Sequence, residues 1–115
     1  MDRRVEFEKR HAPRIWVNFN TIVYREGKKF HCQARQLSQG GIQLATQHKE
    51  LIGQDIKLEL MLKPPDIVLE INGMVVYALP SGVGVRFRNV SVEQATVLQN
   101  YLENHGIGRL KRTNT

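Results

Sequence analysis

The sequence predicts a mainly β protein: a small six-stranded antiparallel barrel with one C-terminal α-helix. Three observations predict it. Short segments alternate apolar and polar residues with a period of two, most clearly over residues 55–63. Turn residues (Gly27, Gly40-Gly41, Pro64-Pro65, Pro80-Ser81-Gly82) separate those segments at the spacing of a small barrel. Helical spacing of apolar residues occurs only after Ser91.

The elements follow in order. Residues 1–14 are charged and unpatterned, and are expected to form a flexible basic segment. Residues 15–24 alternate, with Ile15, Val17 and Phe19 on one side. After a turn at 25–29, residues 30–36 run back to complete a hairpin. Residues 37–41 break the pattern, 42–46 resume it, and 47–54 form a polar connection. In residues 55–63, Ile56, Leu58, Leu60 and Leu62 face the core, and Ile67, Leu69 and Ile71 repeat that face after the proline turn. Gly73 marks an expected bulge or bend, and 83–87 are the last strand. Ser91 and Gln94 form a capping box for a helix whose apolar side carries Val92, Ala95, Leu98, Tyr101 and Leu102. Gly106 is its expected stop. The barrel and helix are thus expected over residues 15–106, with a disordered basic tail over 107–115.

The 115 residues suffice for one domain with a real core. No apolar run approaches the roughly 20 residues of a membrane-spanning helix, and the charged N-terminus lacks a signal-peptide pattern, so a cytoplasmic protein is expected. Cys32 has no partner for a disulfide and no zinc-ligand spacing around it; it reads as a buried thiol in a strand. The four histidines are scattered, and no phosphate loop, nucleophile elbow or dinucleotide fingerprint occurs, so no enzyme, metal or cofactor is expected. The net charge of +6 points to anionic partners. Its distribution is uneven: Arg3, Arg4, Lys9, Arg10, Arg14, Arg25, Lys28, Lys29 and Arg35 crowd the N-terminal part, and Arg109, Lys111 and Arg112 the tail.

Two stretches carry the candidate chemistry. In Arg10-His11-Ala12-Pro13-Arg14, Pro13 keeps its predecessor out of the helical region. Two guanidiniums on an extended strap suit a phosphate or a guanine edge. The plainer reading is a solvated leader. In Gln36-Leu37-Ser38-Gln39-Gly40-Gly41-Ile42, Ser38 offers a hydroxyl and the glycines allow close approach to the main chain. The plainer reading there is a tight connection between strands.

Taken together, R-x-x-x-R before the first strand, then L-S-x-G-G-I, then Gly-Val-Gly-Val-Arg-Phe at 82–87 and a terminal amphipathic helix resemble the PilZ domain family over residues 8–104. The resemblance implies a six-stranded antiparallel barrel and binding of cyclic di-GMP. It implies that Arg10 and Arg14 grip phosphate and guanine, while Ser38 and Gly41 line the barrel surface beneath. Lys9, Gly40 and Arg35 are further candidate contacts, as are Arg3 and Arg4, and a basic Lys9 accompanies a stacked pair of ligands in the family. One position departs: Gln36 stands where the family pattern has Asp or Asn. A carboxylate there could take two charge-assisted bonds from a guanine edge, and losing that contact is worth about 1–3 kcal/mol. Tyr77 is read as packing with a possible stacking face, and Trp16 as cover for the barrel.

The mechanism this implies is ligand-induced ordering. A ligand bridging Arg10 and Arg14 to Ser38 would pin the N-terminal segment and create a surface for an effector protein; no output domain is expected within the chain. The alternative is a PilZ-like interaction module that binds no nucleotide, for which Gln36 speaks. A barrel for single-stranded nucleic acid would need exposed aromatics spread over one face, which this chain lacks.

Overall fold

The computed structural model describes residues 14–63 and 66–107. The predicted N-terminal segment apart from Arg14, and the predicted tail apart from Ile107, lie outside them. Seven strands form one antiparallel sheet: β1 (Ile15–Trp16), β2 (Asn20–Arg25), β3 (Lys28–Leu37), β4 (Gly41–Ala45), β5 (Asp55–Leu62), β6 (Ile67–Leu79) and β7 (Gly82–Arg88). Their order is β1-β3-β2-β5-β6-β7-β4, and β4 also pairs with β3. That last pairing closes six strands into a barrel and removes the open sheet edges. The two-residue β1 extends the sheet beside the end of β3, where Ile15 pairs Leu37 and Trp16 pairs Gln36.

The first hairpin is tighter than the sequence suggested. Its turn is only Glu26-Gly27, and both residues have positive φ, 50° and 80°. That is the two-residue geometry whose twist matches paired strands. The chain also breaks after Trp16, so the predicted first strand becomes β1 and β2. Phe19 stays in phase with buried Thr21 and Val23. The predicted polar connection contains a single 3-10 turn, Lys49–Leu51, which buries Leu51.

Gly73 does not mark a bulge. It pairs in register with Ile56 on β5 and Phe87 on β7. A Cβ there would meet Val85 Cγ1 at 2.6 Å and Leu58 Cδ1 at 3.2 Å, so the glycine serves tight packing across the barrel. The irregularity in β6 lies at Val76, between the pairs Val75–Val85 and Tyr77–Gly84. A second lies in β3 at Arg35, between Ala34–Leu44 and Gln36–Gln43.

The core is built from the predicted faces: Ile56, Leu58, Leu60, Leu62, Leu69 and Ile71, joined by Val23, Ala34, Leu37, Ile42, Leu44, Val75, Val83, Val85 and Phe87. Cys32 is buried and free, and burial pushes its thiol up from its ordinary value. Ile67 is 41% exposed because it forms the last pair of its hairpin, with Leu62, next to the turn.

Helix α1 (Val92–Leu102) starts at the predicted capping box: Gln94 N donates to Ser91 Oγ at 3.0 Å and Ser91 N donates to Gln94 Oε1 at 2.8 Å. It lies across β6, with Gln94 Nε2 donating to Glu70 O and Tyr101 OH to Lys63 O. Tyr101 meets Phe19 edge to face, with ring centroids 6.0 Å apart. Leu98, Tyr101 and Leu102 are buried, but Val92 at the first turn is 81% exposed, outside the predicted apolar side. The helix ends before Gly106, which sits in a wider π-type turn over Glu103–Ile107.

Leu58 is fully buried, so Leu58→Ala is expected to lower unfolding free energy by about 2–5 kcal/mol. Ser91→Ala should remove about 1 kcal/mol through loss of the cap. Urea denaturation of both variants checks these values.

Candidate ligand-binding site

Strand alternation decides which residues can reach the outside of the barrel. In β3, Cys32 and Ala34 face the core, so an unbroken strand would send Gln36 inward as well. The extra residue at Arg35 resets the phase: Leu37 enters the core and Gln36 faces out. The same happens in β6. Gly73 and Val75 face inward, and the extra residue at Val76 turns Tyr77 outward. The result is one outer row across five strands: Trp16 (β1), Gln36 (β3), Gln43 (β4), Gly84 (β7) and Tyr77 (β6), each paired with the next.

The tyrosine ring lies over Gly84, where any Cβ would collide with it. Gln43 Nε2 donates to Tyr77 OH at 3.0 Å, which holds the ring in place. Tyr77 therefore packs, as expected from the sequence, yet it is 42% exposed and forms part of a cleft wall. Trp16 covers nothing: it is 78% exposed beside Gln36, contrary to its reading as barrel cover. Among the described residues the two-residue β1 has no strand beyond it to bury the indole.

Beside this row the chain turns at Ser38–Gly40. Ser38 N donates to Gly41 O at 3.0 Å, closing the turn. Ser38 Oγ accepts from Gly40 N at 3.3 Å and lies 3.5 Å from Gly41 O. The loop is tied down further by Phe87 N donating to Gly40 O, at 2.9 Å. Gly41 is required for a different reason: a Cβ on it would run into the Val85 carbonyl of the neighbouring strand. Gly40, by contrast, has open space around it. Gln39 reaches α1 through its Nε2, 3.4 Å from Gln99 Oε1.

These features enclose a cleft of about 200 Å³ lined by Arg14, Gln36, Ser38, Gly40, Gly41, Ile42, Gln43, Val76, Tyr77, Val85 and Arg86. Five of the residues singled out from sequence (Arg14, Gln36, Ser38, Gly40 and Gly41) come together here. Arg10, Lys9, Arg3 and Arg4 lie outside the described residues. Arg35 is exposed but does not line the cleft. Among the described residues the lining carries two guanidiniums and no carboxylate, a field that favours an anion. Gln36 Oε1 is buried and accepts no hydrogen bond among the described residues. Such an acceptor costs about 1–3 kcal/mol unless a donor meets it. Sequence reasoning missed Arg86 and Gln43. The outward phase of Arg86 between Val85 and Phe87 was readable, but its place in the cleft depends on the pairing of Arg86 with Gly41.

The family model of the PilZ domain matches residues 8–104 of the chain. The chain belongs to the PilZ domain family. Solved structures agree on the fold of this PilZ domain. It resembles the c-di-GMP-bound PilZ domain of YcgR from Escherichia coli (TM-score 0.73, 14% identity, 93% of this chain and 98% of that one). It also resembles the inhibitor of motility MotI/DgrA of Bacillus subtilis (TM-score 0.72, 14% identity, 87% and 52%). A third is the MrkH–c-di-GMP complex of K. pneumonia (TM-score 0.70, 18% identity, 90% and 54%). The chain spans about half the length of the MotI/DgrA and MrkH chains. No curated protein sequence matches it significantly. Among the described residues of this PilZ domain, no helix is long and apolar enough to cross a membrane.

The two glycines of the turn should respond differently to substitution. Gly41→Ala forces β4 off β7 and is expected to cost about 1–3 kcal/mol, as overpacking does. Gly40→Ala meets nothing and should stay within about 0.5 kcal/mol of the parent. Thermal or chemical denaturation of the pair distinguishes them.

Proposed function

We propose that this PilZ domain is a non-catalytic receptor for cyclic di-GMP. The observation that carries the reading is the cleft, where Arg14, Gln36, Ser38 and Gly41 converge in a lining that, among the described residues, is cationic and free of carboxylates. Cyclic di-GMP brings what that lining lacks: two phosphate charges for guanidiniums, and guanine N–H donors for the orphaned Gln36 oxygen. Tyr77 offers a partly exposed ring face at the cleft wall. The bare main chain around Gly40 lets a flat, rigid ligand approach closely.

Arg10 and Arg14 grip the nucleotide from the N-terminal side, with Lys9 as a secondary contact; Arg35, outside the cleft lining, is not among the contacts. The bound ligand fixes the N-terminal segment against the barrel, and the surface so formed engages an effector protein. The carboxamide at position 36 weakens the base contact relative to a carboxylate, because it brings no charge. That same departure favours the second reading, a protein-interaction module of this fold that takes no nucleotide.

Titration calorimetry separates them. The parent protein should release heat with cyclic di-GMP, and Arg14→Ala should abolish it. Gln36→Asp should tighten binding by about 5- to 150-fold, the equivalent of the 1–3 kcal/mol assigned to a bidentate base contact. Absence of heat from both the parent and Gln36→Asp would leave the interaction module as the function. On binding, amide resonances of residues 5–15 and 36–41 should shift together; unmoved resonances at 5–15 would remove the ordering step.

A further inference from the structure

The cleft has a guanidinium that neither sequence motif requires. Arg86 stands on the outer face of β7 between buried Val85 and Phe87. Its cross-strand partners are Gly41 on β4 and Met74 on β6, so neither neighbour brings a carboxylate and one brings no side chain at all. Among the described residues Arg86 has no ion pair. The strand's other outward arginine behaves differently. Arg88 lies 3.4 Å from Asp55, and nearby Arg25 lies 3.2 Å from Glu26. Those four residues line a separate cleft of about 330 Å³, so both of its arginines are paired with carboxylates of the same lining.

The remaining donors of the first cleft are largely committed. Ser38 Oγ is engaged with the main chain of Gly40 and Gly41, and the Gln43 amide donates to Tyr77 OH. Arg86 is therefore the charged donor that the barrel wall itself holds out to an anion.

We propose that Arg86 is a phosphate-binding residue of this site. It holds one phosphodiester of the cyclic dinucleotide from the barrel side, across the cleft lining it shares with Arg14. The assignment rests on the cyclic di-GMP reading above. It places a cation on a strand paired on both sides, so only the side chain remains to be ordered on binding. It also offsets part of what the family loses at Gln36.

The test is calorimetry with cyclic di-GMP on the parent, Arg86→Ala, Arg86→Lys and Arg88→Ala. Arg86→Ala should weaken binding about 10- to 100-fold, the range for a lost charged hydrogen bond. Arg86→Lys should stay within about fivefold of the parent, because a phosphate accepts a point charge where a base edge demands the planar fork. Arg88→Ala removes the same charge outside the cleft and should stay within about twofold. Parent-like binding by Arg86→Ala overturns the proposal, and so does equal weakening by Arg88→Ala. A loss in Arg86→Lys as large as in Arg86→Ala overturns the phosphate assignment in favour of a base contact. In the parent protein the Arg86 Nε–H resonance should shift at saturation; an unmoved resonance also refutes the contact without any substitution. If the parent binds no cyclic di-GMP, the receptor reading itself fails and this inference fails with it. If the parent binds and only the Arg86 results disagree, the receptor reading stands alone.

Discussion

Side chains on a β-strand alternate between two faces, and the barrel core claims one of them. Every other feature of the site depends on where that alternation is broken. Two extra residues, Arg35 in β3 and Val76 in β6, each shift the phase by one. Without the first, Gln36 would press an amide into a core of Val, Leu and Ile, and Leu37 would lie in water. Without the second, the Tyr77 ring would point into the barrel. With both, the core keeps its apolar residues and the outer face gains an amide and an aromatic ring, two strands apart on either side of β4 and β7. The bulges thus serve packing and site formation together.

The second constraint is close backbone approach. Gly41 lies against the Val85 carbonyl, and Gly84 accepts the face of Tyr77. The missing side chains at Gly40 and Gly41 leave main chain open in a lining whose polar groups are Arg14, Gln36, Ser38, Gln43, Tyr77 and Arg86. Among the described residues the lining has no acid to oppose its two guanidiniums. The opposite cleft shows what the same fold does without that condition, since Arg25 and Arg88 there spend their charge on Glu26 and Asp55. Electrostatic asymmetry between the two clefts, rather than net charge alone, is what makes one of them suited to a dianion.

Helix α1 ties the arrangement together from outside. Its buried Leu98 and Leu102 cover the barrel, Tyr101 reaches Phe19 and the Lys63 carbonyl, and Gln99 touches Gln39 in the turn beside the cleft. The turn that carries Ser38 is therefore braced by main-chain bonds to β7 and by a side-chain contact to the helix. A ligand settling on it meets a surface already shaped, so the cost of ordering falls mainly on whatever closes from the other side.

Much was legible beforehand, for local reasons. The alternation of Ile56, Leu58, Leu60 and Leu62, the proline and glycine turns, and the Ser91–Gln94 capping box each reflect contacts within a few residues, so periodicity and turn chemistry reveal them. The grouping of Arg14, Gln36, Ser38, Gly40 and Gly41 followed from the motif they form together. Other features were not local. Gly73 looks like a bulge residue, yet the bulge falls at Val76, because the strand pairing and the crowding of Gly73 by Val85 and Leu58 are set across the barrel. Trp16 looks like cover until β1 proves to be two residues long, with no further strand beside it among the described residues. Arg86 reads as an ordinary outward residue until β7 pairs with β4 and brings it beside Gly41. The sequence by itself determined the fold class and the turn that carries Ser38, since those rest on short-range patterns. Only the tertiary structure decided which outward residues share one cleft, since that depends on register between strands distant in the chain.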